Sequence, residues 1–354
     1  MQITEYLFAA LMIMALILGA TFMMITITSP TTSVSQKEQL KIATEKIATQ
    51  ILLDPGYPYN WGSTTETPKV FGLAKQGQTS RQAYELDPDK VLRLNQTVAG
   101  NLYLQPEDTV KILNIQNEYG FTLEFKTPIQ INMPQQINPP ADTYEIQVIT
   151  DQSLPLIGAK VSATLYYINN SQNPPRISHS AKVEATTEYD GSCTLNFGTT
   201  INTAKILAVI VDYYGIHATK LYPITQCITA TLFQKGIANP SQPYHIENNA
   251  DCRQVILTHN EGYELNDFTT RNIGEPNKFA LSELPEYSTV ALIAISNGNT
   301  LLLATRDFAQ ITYQTIPFQD QNTKSADFAY SLERTVFISG STYIATLYVW
   351  RMTI

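Results

Sequence analysis

Between Glu5 and Lys37 the chain carries no charged side chain, and Tyr6 to Ile27 (YLFAALMIMALILGATFMMITI) is almost wholly apolar. At about 1.5 Å per residue, a helix of that length reaches about 33 Å, enough to cross a hydrocarbon core of about 30 Å. A cleaved signal peptide calls for a basic leader and an apolar run of about 7 to 15 residues, which this stretch does not match. A core helix of such length would carry a polar face, and this one has none. The run is expected to be a single-pass anchor over 1–30, with the lipid bilayer as partner through Tyr6 to Ile27. Five of the seven Met fall in the first 24 residues, so the remaining chain has a different, water-suited composition.

Lys37, Lys41 and Lys46 follow the span, and counted literally they favour a cytoplasmic C-terminal part. Large domains cross with little regard to such charges. A body rich in Tyr and Thr, the acceptor sequons at Asn95 and Asn169 and a candidate disulfide favour the opposite orientation, with the C-terminal domains extracytoplasmic.

That body is acidic and weakly charged: 23 Lys+Arg oppose 31 Asp+Glu for a net charge of -8, and only 15% of residues are charged. Such a surface neutralises few phosphates, so no nucleic-acid partner is expected. Twenty Tyr and 13 Phe among many Thr, Asn and Gln suit pleated, half-buried surfaces. The fold class is therefore expected to be mainly β.

Beyond Pro30, the Leu40, Ala43, Ile47 and Ile51 spacing predicts an amphipathic stalk helix within 31–54, ended by Asp54-Pro55-Gly56. A membrane-proximal α/β region is expected over 55–138. Asp87-Pro88 and Pro106-Glu107-Asp108 open short helices there, since a carboxylate caps free amides and proline suits the first helical position. Tyr119 to Phe125 alternates as a strand, and the Gln/Asn-rich stretch holding Pro128, Pro134 and Pro139-Pro140 reads as a linker. Evenly spaced strands then predict a β-sandwich over 143–225. Ile206 to Val211, apolar on both faces, is expected at its centre. A second sandwich is expected over 226–354. Its hairpins fall around Asn297-Gly298-Asn299 and Gly340, and its last strand is tied into the sheet.

Two stretches carry resemblances. Pro155-Leu156-Ile157-Gly158-Ala159-Lys160-Val161 and Thr186-Thr187-Glu188-Tyr189-Asp190-Gly191, set between strands from Tyr144 to Tyr222, resemble carboxypeptidase-regulatory-like, transthyretin-like domains. The resemblance implies an immunoglobulin-like, non-catalytic module on extracytoplasmic proteins, with the Asp-Gly turn as a hairpin. Glu5, ahead of the long apolar helix, is similar to the start of a mature type IV pilin. In that family the acidic residue pairs with the amino terminus of a neighbouring subunit during assembly. Its alternative is hydration in the headgroup layer. With the Pro-Gly-Tyr-Pro-Tyr-Asn-Trp turn after the stalk, the whole looks like archaeal membrane-anchored surface proteins.

Chemistry-bearing constellations are sparse. His245, Cys252 and His259, beside Glu247 and Glu261, are zinc-compatible types at no standard spacing, and solvated loop histidines are the default. Calcium at a sandwich edge through Asp151 or Asp190 is the other metal alternative. Neither is adopted: no metal, cofactor or catalytic residue is expected. No Gly-x-Ser-x-Gly elbow and no phosphate-cradling glycine loop occurs. Cys193 is expected inside the first sandwich. Cys227 and Cys252, 25 positions apart, are the candidate disulfide, worth about 3 kcal/mol if formed. The expected function is a non-enzymatic structural or adhesive surface protein, contacting other surface proteins or copies of itself. The alternatives are a pilin-like filament subunit, or a ligand-binding accessory module.

Overall fold

The computed structural model describes 36–64, 66–77, 84–99, 102–115, 118–132, 134–137, 141–171, 175–225, 227–233, 236–237, 254–259, 263–268, 271–272, 279–280, 289–296, 300–306, 308, 311–315 and 329–352, together with 13, 14 and 17. Strands predominate and form several sheets, so the protein is mainly β. Glu5 and nearly all of the apolar run lie outside the described residues. Among the described residues no helix is long and apolar enough to cross a membrane.

Helix 36–53 follows the predicted stripe. Thr44, Ile47, Ala48, Ile51 and Leu52 are buried and Leu40 packs beside them, while Lys37, Lys41 and Lys46 face water. Its last carbonyls find donors in an extended segment alongside, where Leu73 N donates to Ile51 O (2.7 Å) and Ala74 N to Asp54 O (3.0 Å). Gly72 permits that approach, because a Cβ there would stand 2.1 Å from Asp54 O. The aromatic turn folds under the helix end, burying Trp61 completely with its Nε1 donating to Gly72 O at 3.1 Å.

The helix is covered by a five-stranded proximal sheet in the order Glu85–Leu86, Ala329–Ile338, Ser341–Arg351, Tyr119–Lys126, Ile311–Gln314. The first pair is parallel and the rest antiparallel. One core joins Ile47 and Ile51 of the helix, Phe121, Leu123 and Phe125 of the middle of the chain, and Val336, Leu347 and Val349 of its end. The Gly340 hairpin forms as expected, with Ser339 (φ 48°) and Gly340 (φ 79°) both left-handed, the geometry that matches strand twist in a two-residue turn.

This corrects the domain reading of 226–354, since its last strands do not join a second sandwich. Ser341–Arg351 is apolar on both faces and pairs on both sides, with Ala329–Ile338 and with Tyr119–Lys126, so it occupies the interior of the proximal sheet. The described strands between Lys126 and Ile311 form an insertion into one helix-on-sheet unit.

The insertion begins with two stacked sheets. In one, Ile216–Thr225, Lys205–Tyr213, Lys160–Asn169 and Arg176–His179 run in that order, with Val183–Thr186 also paired to Lys160–Asn169. In the other, Thr143–Thr150 pairs with Ile129–Ile131, Gln135–Ile137 and Ser192–Asn196. The presumed linker is therefore strand: Pro134 divides two short edge strands, and Ile129 is buried in the sandwich core. The core alternates as a sandwich requires, with Val161, Ala163, Leu165, Leu207, Val209 and Val211 facing Tyr144, Ile146, Val148 and Leu195.

Asp190-Gly191 closes a tight reversal, with Gly191 N donating to Glu188 O (3.0 Å) and Glu188 N to Ser192 O (2.7 Å), but the strands on either side do not pair with each other. Val183–Thr186 pairs in one sheet and Ser192–Asn196 in the other, so the turn carries the chain across the sandwich. The Leu156-Ile157-Gly158 turn crosses beside it, and the buried Thr187 ties the two together. Its Oγ1 accepts from Ala159 N (2.9 Å) and donates to Leu156 O, while Gly158 N donates to Thr187 O (3.0 Å).

Lys205–Tyr213 is central, as its apolar faces predict. Its second face, with Ile206 and Ala208 beside Tyr166 and Ile168, packs on Ala291, Ile293, Ile295, Leu301 and Leu303. Those belong to a third layer, a six-stranded sheet in the order Gly236–Ile237, Cys227–Phe233, Thr300–Thr305, Thr289–Ser296, Gln254–His259, Tyr263–Phe268. The strands flanking Asn297-Gly298-Asn299 pair antiparallel from Ser296↔Thr300, as expected.

Candidate functional site

The proximal unit, the sandwich and the third sheet converge on one cleft of about 490 Å3. Its first wall is the connection Lys126 to Asn132, its second Ala218 to Leu221, and its floor Thr305, Arg306 and Ser341 to Tyr343. Five stretches of the chain, Asp151 included, meet here because the insertion leaves and re-enters the proximal sheet at this point, where Phe125 and Ile311 are register partners. Hydrogen bonds bridge the layers across the floor. Thr219 Oγ1 and Ser341 Oγ lie 3.0 Å apart, and His217 N donates to Thr342 Oγ1 at 3.4 Å. Lys126 at the mouth pairs with Glu124 at 3.1 Å, and this hydrogen bond holds its pKa above the ordinary lysine value, with Asp151 adding a smaller push the same way.

Beneath the cleft lies a buried ionic cluster. Arg306 Nη2 is 3.4 Å from Asp89 Oδ1, both nearly inaccessible, which fastens the end of strand Thr300–Thr305 to the helix Pro88–Leu92. Asp87 opens that helix as predicted, accepting from Asp89 N at 3.0 Å. Lys90, 0% exposed, donates to Pro55 O (3.0 Å) and Ala74 O (2.9 Å) and lies 3.3 Å from Asp87. Desolvation pulls its pKa below the ordinary lysine value, opposed mainly by Asp87. Arg93 stacks 5.2 Å from the Trp61 ring centre and donates to Glu66 O at 3.0 Å. Desolvation lowers its pKa to about 10. Every one of these cations is spent on carbonyls or carboxylates of the aromatic turn and its neighbours. The cluster is a clamp on the proximal fold, not an exposed reactive group.

A second surface is the sandwich end built from the two crossing turns. Leu154, Ile157 and Tyr189 project there, 58%, 59% and 78% exposed, while Thr187 and Leu156 beneath them are buried. Large side chains on a braced backbone offer contact area at small entropic cost.

The sequence-derived site residues fall as follows. Asn95 Oδ1 accepts from Thr97 N at 3.1 Å, capping the short helix Gln96–Ala99, and the residue is half-buried. Asn169 ends its strand, and its Oδ1 accepts from Ser171 N at 3.0 Å and from Ser171 Oγ. Cys193 is in the sandwich core, where burial pushes its thiol up to about 11. Cys227 Sγ donates to Thr225 O at 3.1 Å, and burial also pushes its thiol up to about 11. Cys252, His245, Glu247 and Glu261 lie outside the described residues. Asp190 is exposed, its carboxyl held below the usual range by Ser192, whose Oγ donates to it at 2.7 Å. Among the described residues no three His, Cys, Asp or Glu converge as metal ligands. The cleft is not visible in the sequence because its lining comes from five separate stretches. The one local signal is Thr127, Gln130 and Asn132, polar side chains interleaved with Pro128, Ile129 and Ile131. No family model matches the chain, and no curated protein matches it significantly.

Proposed function

We propose that the chain is a non-enzymatic structural or adhesive protein of the cell surface, anchored by its N-terminal apolar run with the folded layers outside the membrane. The observation that carries this reading is the continuity of a charge-free run, long enough to span, with a helix whose last turns are locked into a core. Thirty-one residues from Tyr6 to Gln36 carry no charge, and Ile47, Ala48, Ile51 and Leu52 then key the helix into the proximal unit. The stacked sandwich and third sheet present their crossing turns and cleft to partners, which are other surface proteins or copies of the same chain. The Tyr144 to Tyr222 stretch serves as an immunoglobulin-like spacer in this reading. The Asp-Gly turn, which crosses between sheets, departs from the hairpin that the resemblance implied.

Protease shaving of intact cells tests it, with detection of fragments from the C-terminal hairpin. Release of the body from intact cells is the expected result. A body that survives shaving and becomes sensitive only after lysis overturns the proposal.

A pilin-like subunit is the second reading, favoured by one feature. Helix 36–53 lies on a largely antiparallel sheet, and on its opposite face Ile42 and Leu53 are exposed among the described residues, together with Tyr57 and Tyr59 of the following turn. Helix-to-helix packing between copies would cover that face. Electron microscopy of shed surface material separates the two, with filaments favouring the subunit and detergent-extracted monomers favouring the anchor.

A further inference from the structure

We propose that the junction cleft is a binding site for an uncharged saccharide, an inference that rests on the contact role proposed above and names the class of ligand. Its volume of about 490 Å3 is that of a small-molecule site, in the range of about 300 to 1,000 Å3. Its charges cancel. Lys126, Lys220 and Arg306 line it, and they are answered by Asp151 in the lining, by Glu124 3.1 Å from Lys126 and by Asp89 3.4 Å from Arg306. A cleft so balanced gives an anion or a cation little advantage.

The remaining lining is of two kinds. Gln130 and Asn132, both exposed, and Thr127 present amide and hydroxyl groups along one wall. Ile131 and Leu221, both half-buried, present aliphatic surface. A pyranose has this duality, with hydroxyls around its rim and C–H bonds on its faces. Arg306 in the floor is 7% exposed and its guanidinium is held by Asp89 at 3.4 Å, so the floor offers a ligand no free charge. The floor itself is held by bonds between layers, so the cleft is in place before a ligand arrives.

The test is saturation-transfer NMR on the full chain in detergent with maltose, cellobiose and lactose as neutral probes, and glucuronate and inorganic phosphate as charged ones. At least one neutral disaccharide is expected to bind saturably, and to do so equally in 0.05 M and 0.5 M salt. The Gln130→Ala/Asn132→Ala double variant, altered only at exposed side chains, is expected to weaken it tenfold or more with an unchanged melting temperature. Absence of saturable binding by all three disaccharides overturns the proposal, as does binding untouched by the double variant. Binding confined to glucuronate or phosphate and lost at high salt overturns the uncharged class. Failure of the anchor reading is distinguishable, since shaving reports location while these signals come from the purified chain.

Discussion

Leu347→Ala tests whether the two ends of the chain make one folding unit. Leu347 is 2% exposed, pairs in register with Leu123 and Leu332, and shares its core with Ile47 and Ile51 of helix 36–53. The substitution removes three buried carbons, about 2.4 kcal/mol at ~0.8 kcal/mol each. An incompletely collapsed cavity raises the total to about 3–4 kcal/mol, within the usual span for buried Leu→Ala. At 1.4 kcal/mol per decade, a loss of 3 kcal/mol multiplies the opened population roughly 150-fold. Amide hydrogen exchange on the full chain in detergent reads this directly. Protection is expected to fall by about two decades together in helix 36–53, in Tyr119–Lys126 and in Ala329–Ile338. Amides of the sandwich strands Thr143–Thr150 and Lys205–Tyr213 are expected to keep theirs. Loss confined to 329–351 with the helix unaffected would refute the reasoning, because it would mean that the C-terminal hairpin merely decorates a unit completed without it.

Thr187→Val keeps shape but removes the hydroxyl that ties the two crossing turns, leaving Ala159 N without its buried acceptor; a loss of about 1–3 kcal/mol is expected as a lower urea midpoint at constant m. Asn169 is expected to carry the glycan and Asn95 none, because Asn95 is a half-buried helix cap while Asn169 sits at a strand end with Ser171 already turned onto its amide oxygen. Glycopeptide mapping of native protein, with Asn169→Gln abolishing the mass increment, decides it. Stability is expected to fall above about pH 10. Burial raises the pKa of Tyr144, Tyr166, Tyr222 and Tyr313, so their contribution is full below the unfolded tyrosine value and is lost as pH rises toward the folded values, at up to about 1.4 kcal/mol per pH unit each. Lys90, lowered by desolvation, works the other way below 10.5 and is outnumbered. Urea midpoints at pH 9.5 and 11 check the sign, and a flat or rising profile would contradict it.

What was legible in the sequence was local. The stripe Leu40, Ala43, Ile47, Ile51 gave the helix, Asp87-Pro88 the capped turn, and the doubly apolar Ile206 to Val211 the central strand, since each pattern reports the faces of its own element. What was not legible was which sheet an element joins. The strand Ser341–Arg351 has the aromatic and aliphatic content of any buried central strand, and nothing in it names Tyr119–Lys126, more than 200 residues earlier, as its neighbour. The Asp190-Gly191 turn shows the same limit. Its dipeptide specifies a tight reversal, and a reversal serves equally to close a hairpin or to step between sheets. Here the choice falls to Thr187, whose buried hydroxyl bonds the neighbouring crossing turn.

The same topology explains where the three layers meet. An insertion that leaves and re-enters a sheet through the paired positions Phe125 and Ile311 has its two connections side by side. The three layers therefore meet along one seam, and their polar groups are used in closing it: Arg306 on Asp89, Thr219 on Ser341, His217 N on Thr342. Groups already paired in this way are held in place. Lys90, 0% exposed and lowered in pKa by desolvation, is held by three partners that fix the turn after helix 36–53. Removing its charge by Lys90→Met would thus act first on the proximal unit's stability, leaving Asp87 and two carbonyls without their donor.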